Sequence, residues 1–120
     1  MGYDIVERTI PDGISFKKLD ITMEVMRKAD IILCRDVFIH LPNDLIQKTL
    51  ALFKESGSKY LLTSNYCECQ NNEGREFGAF RPEDPLGRSI NLMKEPFNFG
   101  EPIHKIEEVN WGRFICMWEL

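Results

Sequence analysis

Residues 29–66, ADIILCRDVFIHLPNDLIQKTLALFKESGSKYLLTSNY, decide the fold. Ile31, Ile32, Leu33 and Cys34 form a continuous apolar run, the pattern of a strand buried on both faces. Beyond Pro42, Asn43 or Asp44 offers a helix cap, and Leu45, Ile46, Thr49, Leu50 and Phe53 recur at helical spacing on one face. Gln47, Lys48 and Lys54 lie off that face, Ser56-Gly57 closes the helix, and Tyr60-Leu61-Leu62-Thr63 is a second apolar strand. A strand, a crossover helix and a strand imply parallel pairing with a right-handed connection, so both strands end at one edge of the sheet. Arg35, Asp36 and His40 are therefore expected to face Ser64, Asn65 and Tyr66. Open α/β sheets bind ligands at that edge.

Working outward, Tyr3 to Val6 reads as a short strand, Thr9 to Gly13 as a turn, and Ile14 to Leu19 as another strand closing on Asp20. Thr22 can cap one or two helical turns through Met23, Val25 and Met26. From Asn65 to about Gly100 the chain is polar, rich in Gly and Pro, and aperiodic, but Phe77, Phe80, Phe97 and Phe99 favour packing there. Ile103 to Val109 and Arg113 to Trp118 flank Asn110-Trp111-Gly112 as an antiparallel hairpin. There is no internal repeat, and residues 1–120 read as one domain.

The 43% hydrophobic and 28% charged fractions of this 120-residue chain suit a folded soluble protein. A net charge of -4 without a run of Lys and Arg disfavours nucleic acid as a partner. The sequence offers neither a bilayer-length apolar stretch nor a signal peptide, so no membrane is expected and a cytoplasmic location follows. Of the four cysteines, Cys34 and Cys116 lie in apolar runs, and Cys67-Glu68-Cys69 is too close-set for a zinc knuckle. Free thiols and no metal are the expectation.

Taken in order, these pieces resemble the later part of a class I S-adenosylmethionine-dependent methyltransferase. Gly2-Tyr3-Asp4-Ile5-Val6 is similar to that family's second strand, with an acid at its tip, and Leu19-Asp20-Ile21 to the acid after the third. Residues 29–41 resemble the fourth-strand motif, residues 56–63 the fifth strand with its lead-in, and Asn91-Leu92 with Pro96-Phe97-Asn98-Phe99 the segment before a terminal hairpin. The resemblance implies an α/β, partial Rossmann-like methyltransferase fold, a mostly parallel sheet with a C-terminal antiparallel hairpin. It further implies methyl transfer from S-adenosylmethionine to a small-molecule or protein nucleophile.

On that resemblance Asp4 holds the cofactor ribose, Asp20 the adenine, and Cys34 and Arg35 line the cofactor. Arg35, Asp36 and His40 are the catalytic candidates, and Asn65 and Tyr66 meet the substrate. A carboxylate accepts two hydroxyl hydrogen bonds, which suits a ribose diol, and the ordinary histidine pKa suits proton removal near neutrality. Each assignment has a structural alternative. Asp4 and Asp20 are also ordinary turn acids, Arg35 and Asp36 can pair as ions, His40 can pack in its loop, and Asn65 and Tyr66 can pin theirs.

The family's opening strand, glycine-rich turn and helix have no counterpart in these residues, so the domain reads as N-terminally truncated. The missing strand would lie in mid-sheet, between the second and the fourth, leaving two strand edges unpaired. Two functions follow as expectations: a methyltransferase incompetent alone, or a non-catalytic remnant that binds protein or oligomerises. On either, a homo-oligomer or a partner chain completes the sheet.

Overall fold

In the computed structural model, residues 1–73, 88–108 and 112–120 are described. Pro42 is extended at ψ 159° and opens α1 (Asn43–Glu55) without a side-chain cap; Asp44 sits in the first turn and Lys54 in the last, as the helix dipole favours. Gly57 at φ 75° ends it, its N–H donating to the Lys54 carbonyl. Ile46, Thr49, Leu50 and Phe53 are its buried face, four of the five residues of the expected stripe; Leu45 is only half-buried. Asn43, expected as a cap, instead bonds through Nδ2 to the Asn72 carbonyl and accepts from Arg88 Nη2.

Among the described residues six strands form two sheets: β1 (Gly2–Asp4) and β2 (Phe16–Lys18) pair parallel, while β3 (Ile31–Cys34), β4 (Tyr60–Asn65), β5 (His104–Glu108) and β6 (Arg113–Glu119) run in the order β3-β4-β6-β5. β3 and β4 are parallel, Ile31 opposite Tyr60 and Cys34 opposite Thr63. β6 is antiparallel to both β4 and β5. The expected hairpin thus forms, and within its turn Asn110 and Trp111, with Val109, lie outside the described residues, as do Phe77 and Phe80. Residues 21–24 make a turn rather than the short helix anticipated after Thr22.

The expected α/β, partial Rossmann-like fold is not what forms. Among the described residues α1 is the only α-helix, the larger sheet is mixed, and only β1 and β2 make an all-parallel sheet. A doubly wound sheet needs helices on both faces. Here the β1–β2 connection, residues 5–15, carries no helix. One face of the larger sheet packs on α1: Ile32, Cys34, Leu61, Cys116 and Trp118 join Ile46, Leu50 and Phe53 in the core. The alternate residues turn the other way, leaving Ile31 51%, Leu33 66% and Ile106 71% exposed. The apolar run that reads as a doubly buried strand is covered on one side only.

The loop before β5 packs as expected where it is described. Phe97 is buried, Phe99 meets Trp118 edge-on at 5.9 Å, and Ile90 and Leu92 are fully enclosed. Among the described residues no helix is long and apolar enough to cross a membrane.

Candidate functional site

The ends of β3 and β4 do meet. Asp36 follows β3 at φ 56°, a left-handed conformation unfavourable for a residue with a Cβ. Ser64 holds it there: the Asp36 N–H donates to Ser64 Oγ, and that hydroxyl lies 3.0 Å from Asp36 Oδ1. Arg113 at the start of β6 donates from Nη1 to Asp36 Oδ1 at 2.7 Å and pairs through Nε with Glu108 at the end of β5. Arg35 completes the ring, 2.9 Å from Glu108 and 3.7 Å from Asp36. Two guanidinium groups and two carboxylates therefore neutralise one another across the ends of three strands. Burial raises the Tyr66 phenol above its ordinary pKa, with Arg113 opposing.

Glu108 and Arg113 are missed by sequence reasoning. Their only signal is position: each stands at the turn-side end of a hairpin strand, in register opposite the other. With both supplied, Arg35 and Asp36 belong to a mutually paired ionic cluster, the structural alternative open to them.

Asn65 is fully buried and saturated. Its Nδ2 reaches Asn91 Oδ1 and Cys67 Sγ, each at 3.2 Å, and its Oδ1 accepts from the Leu92 N–H at 2.7 Å. Asn91 bonds onward to the carbonyls of Cys67 and Cys69, and Asn72 Nδ2 to those of Asn91 and Glu95. Such a network satisfies the buried backbone where β4 ends, and it holds Asn65 away from any ligand. The Cys34 side chain points into the core, where burial pushes its thiol up to about 12, and its carbonyl accepts from the Thr63 hydroxyl at 2.6 Å. His40 is exposed at the end of a 3-10 turn, Phe38–His40, and no side-chain hydrogen bond joins it to the ionic cluster among the described residues.

Asp4 ends β1, and Asp20 lies two residues beyond the end of β2. Asp4 accepts from the Val6 N–H and from Arg8 Nε, which lower its pKa in that order. Asp20 accepts from the Thr22 hydroxyl at 2.7 Å and the Thr22 N–H at 2.9 Å, and both depress it. Each carboxylate thus serves its own turn.

A groove of about 660 Å³ separates the two sheets, lined by Gly2 and Tyr3 of β1, Ile31, Leu33 and Cys34 of β3, and Phe53 of α1. Among the described residues β1 pairs only with β2 and β3 only with β4, and both strands line this groove. Their other edges carry backbone groups without a strand partner among those residues.

The described residues do not by themselves fit S-adenosylmethionine. The four side chains expected to hold it are engaged elsewhere: Asp4 and Asp20 in their own turns, Cys34 in the core and Arg35 in the ionic cluster. Among the described residues, no three or more His, Cys, Asp or Glu side chains gather as a metal site would. No protein-family model, curated protein or solved structure matches the chain.

Proposed function

We propose that the chain is a methyltransferase-like binding module that accepts one extended, apolar polypeptide strand between β1 and β3. The carrying observation is the groove lined by β1 and β3, each with one edge unpaired among the described residues. A strand laid there pairs its backbone with both edges, the sheet-addition mode of peptide recognition. The apolar outer face of the larger sheet supports the same reading, because Ile31 and Leu33 border the groove and stand open to water. A helix that follows a strand parallel to β3 and returns toward β1 lies, by the right-handed rule, on the face opposite α1. One strand–turn–helix segment would thus fill the groove and cover that face.

The module is non-catalytic alone. Methyl transfer, the activity implied by the order of its motifs, belongs in this proposal to the filled assembly, and so does a cytoplasmic location, where the four free thiols would stay reduced. Calorimetry with a synthetic segment (apolar strand, glycine turn, amphipathic helix) tests the proposal. We expect binding with a negative heat-capacity change, weakened about tenfold or more by Leu33→Lys. No heat at millimolar segment overturns it. A dimer by light scattering that Leu33→Lys dissolves would make a second copy the occupant.

A further inference from the structure

Beyond the strand-binding reading, and independent of it, we propose that Cys67 and Cys116 form a peroxide-sensitive thiol pair that closes to a disulfide within one folded chain. Their sulfurs lie 3.7 Å apart, though the residues are 49 positions apart in sequence. A disulfide needs about 2.05 Å, an approach that small side-chain rotations can supply. Neither sulfur is placed by chance. Cys116 is fully buried in β6 opposite Thr63, while Cys67 lies in the turn beyond β4, its sulfur accepting from Asn65 Nδ2 and its carbonyl from Asn91 Nδ2.

The two sulfurs differ in access, and this orders the chemistry. Cys67 is half-buried and reachable from solvent, whereas Cys116 is shielded. Burial, with Cys67 beside it, pushes the Cys116 thiol up to about 12, so it stays protonated and does not meet oxidant first. The Cys67 thiolate attacks hydrogen peroxide; the O–O bond breaks, Cys67 becomes a sulfenic acid, and the hydroxide released takes up a proton to leave as water. The Cys116 sulfur then attacks the Cys67 sulfur. The S–O bond breaks, and the hydroxyl departs as a second water with the Cys116 proton. Two thiols are oxidised and one peroxide is reduced to two waters. Cys69, whose sulfur points to the Asn71 carbonyl at 3.1 Å, stands aside.

Closure would staple the turn after β4, which carries Tyr66 beside the ionic cluster, to the centre of the larger sheet. Peroxide treatment of the folded chain, alkylation and peptide mapping test it. The expected product is a Cys67–Cys116 cross-linked peptide, reversed by dithiothreitol, formed equally by Cys69→Ser and accompanied by a higher melting temperature. Cys67→Ser, checked for folding by circular dichroism, should leave Cys116 alkylatable after unfolding. A Cys67–Cys69 link, over-oxidised Cys67 with Cys116 still free, or four intact thiols would each overturn the proposal.

Discussion

Arg113 and Asp36, 77 positions apart, are joined by a 2.7 Å hydrogen bond that ties the first residue of β6 to the left-handed corner after β3. Asp36 needs that tie, because its backbone conformation is held against an intrinsic cost of order 1 kcal/mol or more. Ser64 grips the same corner from β4. The rim of the larger sheet is thereby a lock made by three strands.

Removing the lock's centre should cost more than removing its edge. Arg113 is 16% exposed in its side chain and Arg35 is 51% exposed. Arg113→Ala leaves Asp36 and Glu108 with only the more exposed Arg35 between them, a loss of about 1.5–3 kcal/mol in urea unfolding. Arg35→Ala should lose less than about 1 kcal/mol. Equal losses would show that the cluster does not hold the corner.

The one-sided burial of β3 gives a paired test on neighbouring residues. Ile32→Ala, on the core face at 4% exposure, should cost about 2–4 kcal/mol. Leu33→Lys, at 66% exposure, should change the stability of the isolated chain by no more than about 0.5 kcal/mol. A large loss from the lysine would mean that the chain covers its own outer face.

Acid should loosen the Asp20 turn. The Thr22 hydroxyl and N–H hold this carboxyl below its ordinary value of 3.8. A group with a depressed folded pKa adds stability above its unfolded pKa and loses it as pH falls through the folded one. The melting temperature should therefore fall more steeply below about pH 4 in the native chain than in Asp20→Asn. Parallel profiles would contradict the assignment.

The thiols should divide into two classes under native labelling. Cys34 and Cys116 are buried, each pushed up to about 12 chiefly by burial, and should resist a thiol reagent until the chain unfolds. Cys67 and Cys69 should react while it is folded. Rapid native labelling of Cys34 would place its side chain outside the core.

The central unit was legible because periodicity reports burial directly: α1, its core stripe and the parallel β3–β4 pair all follow from residues 29–63. The fold class was not. An apolar strand says that its residues belong under cover, and says nothing of whether the cover lies among the same residues. Ile31 and Leu33 have the composition of a doubly buried strand and the environment of a surface. The rim was half legible: Asp36 and Ser64 meet as chain direction requires, but their fixing by Arg113 and Glu108 depends on hairpin register, which local pattern does not carry. The asparagine network was invisible for a similar reason, since Asn65, Asn72 and Asn91 read as loop residues until the loop folds back on the end of β4.

The claim on which the rest depends is that β1 and β3 offer open backbone edges to an incoming strand. Amide hydrogen exchange, residue by residue, measures it most directly, without and with the synthetic strand–turn–helix segment. In the chain alone, we expect β4 and β6 amides to be protected, and those of Gly2–Asp4 and Ile31–Cys34 not already bonded to β2 or β4 to exchange freely. Adding the segment should slow those edge amides by about a hundredfold or more, a gain near 2.7 kcal/mol in local stability. Edge amides that are already protected in the dilute monomer, or that stay unchanged at saturating segment, would contradict the account.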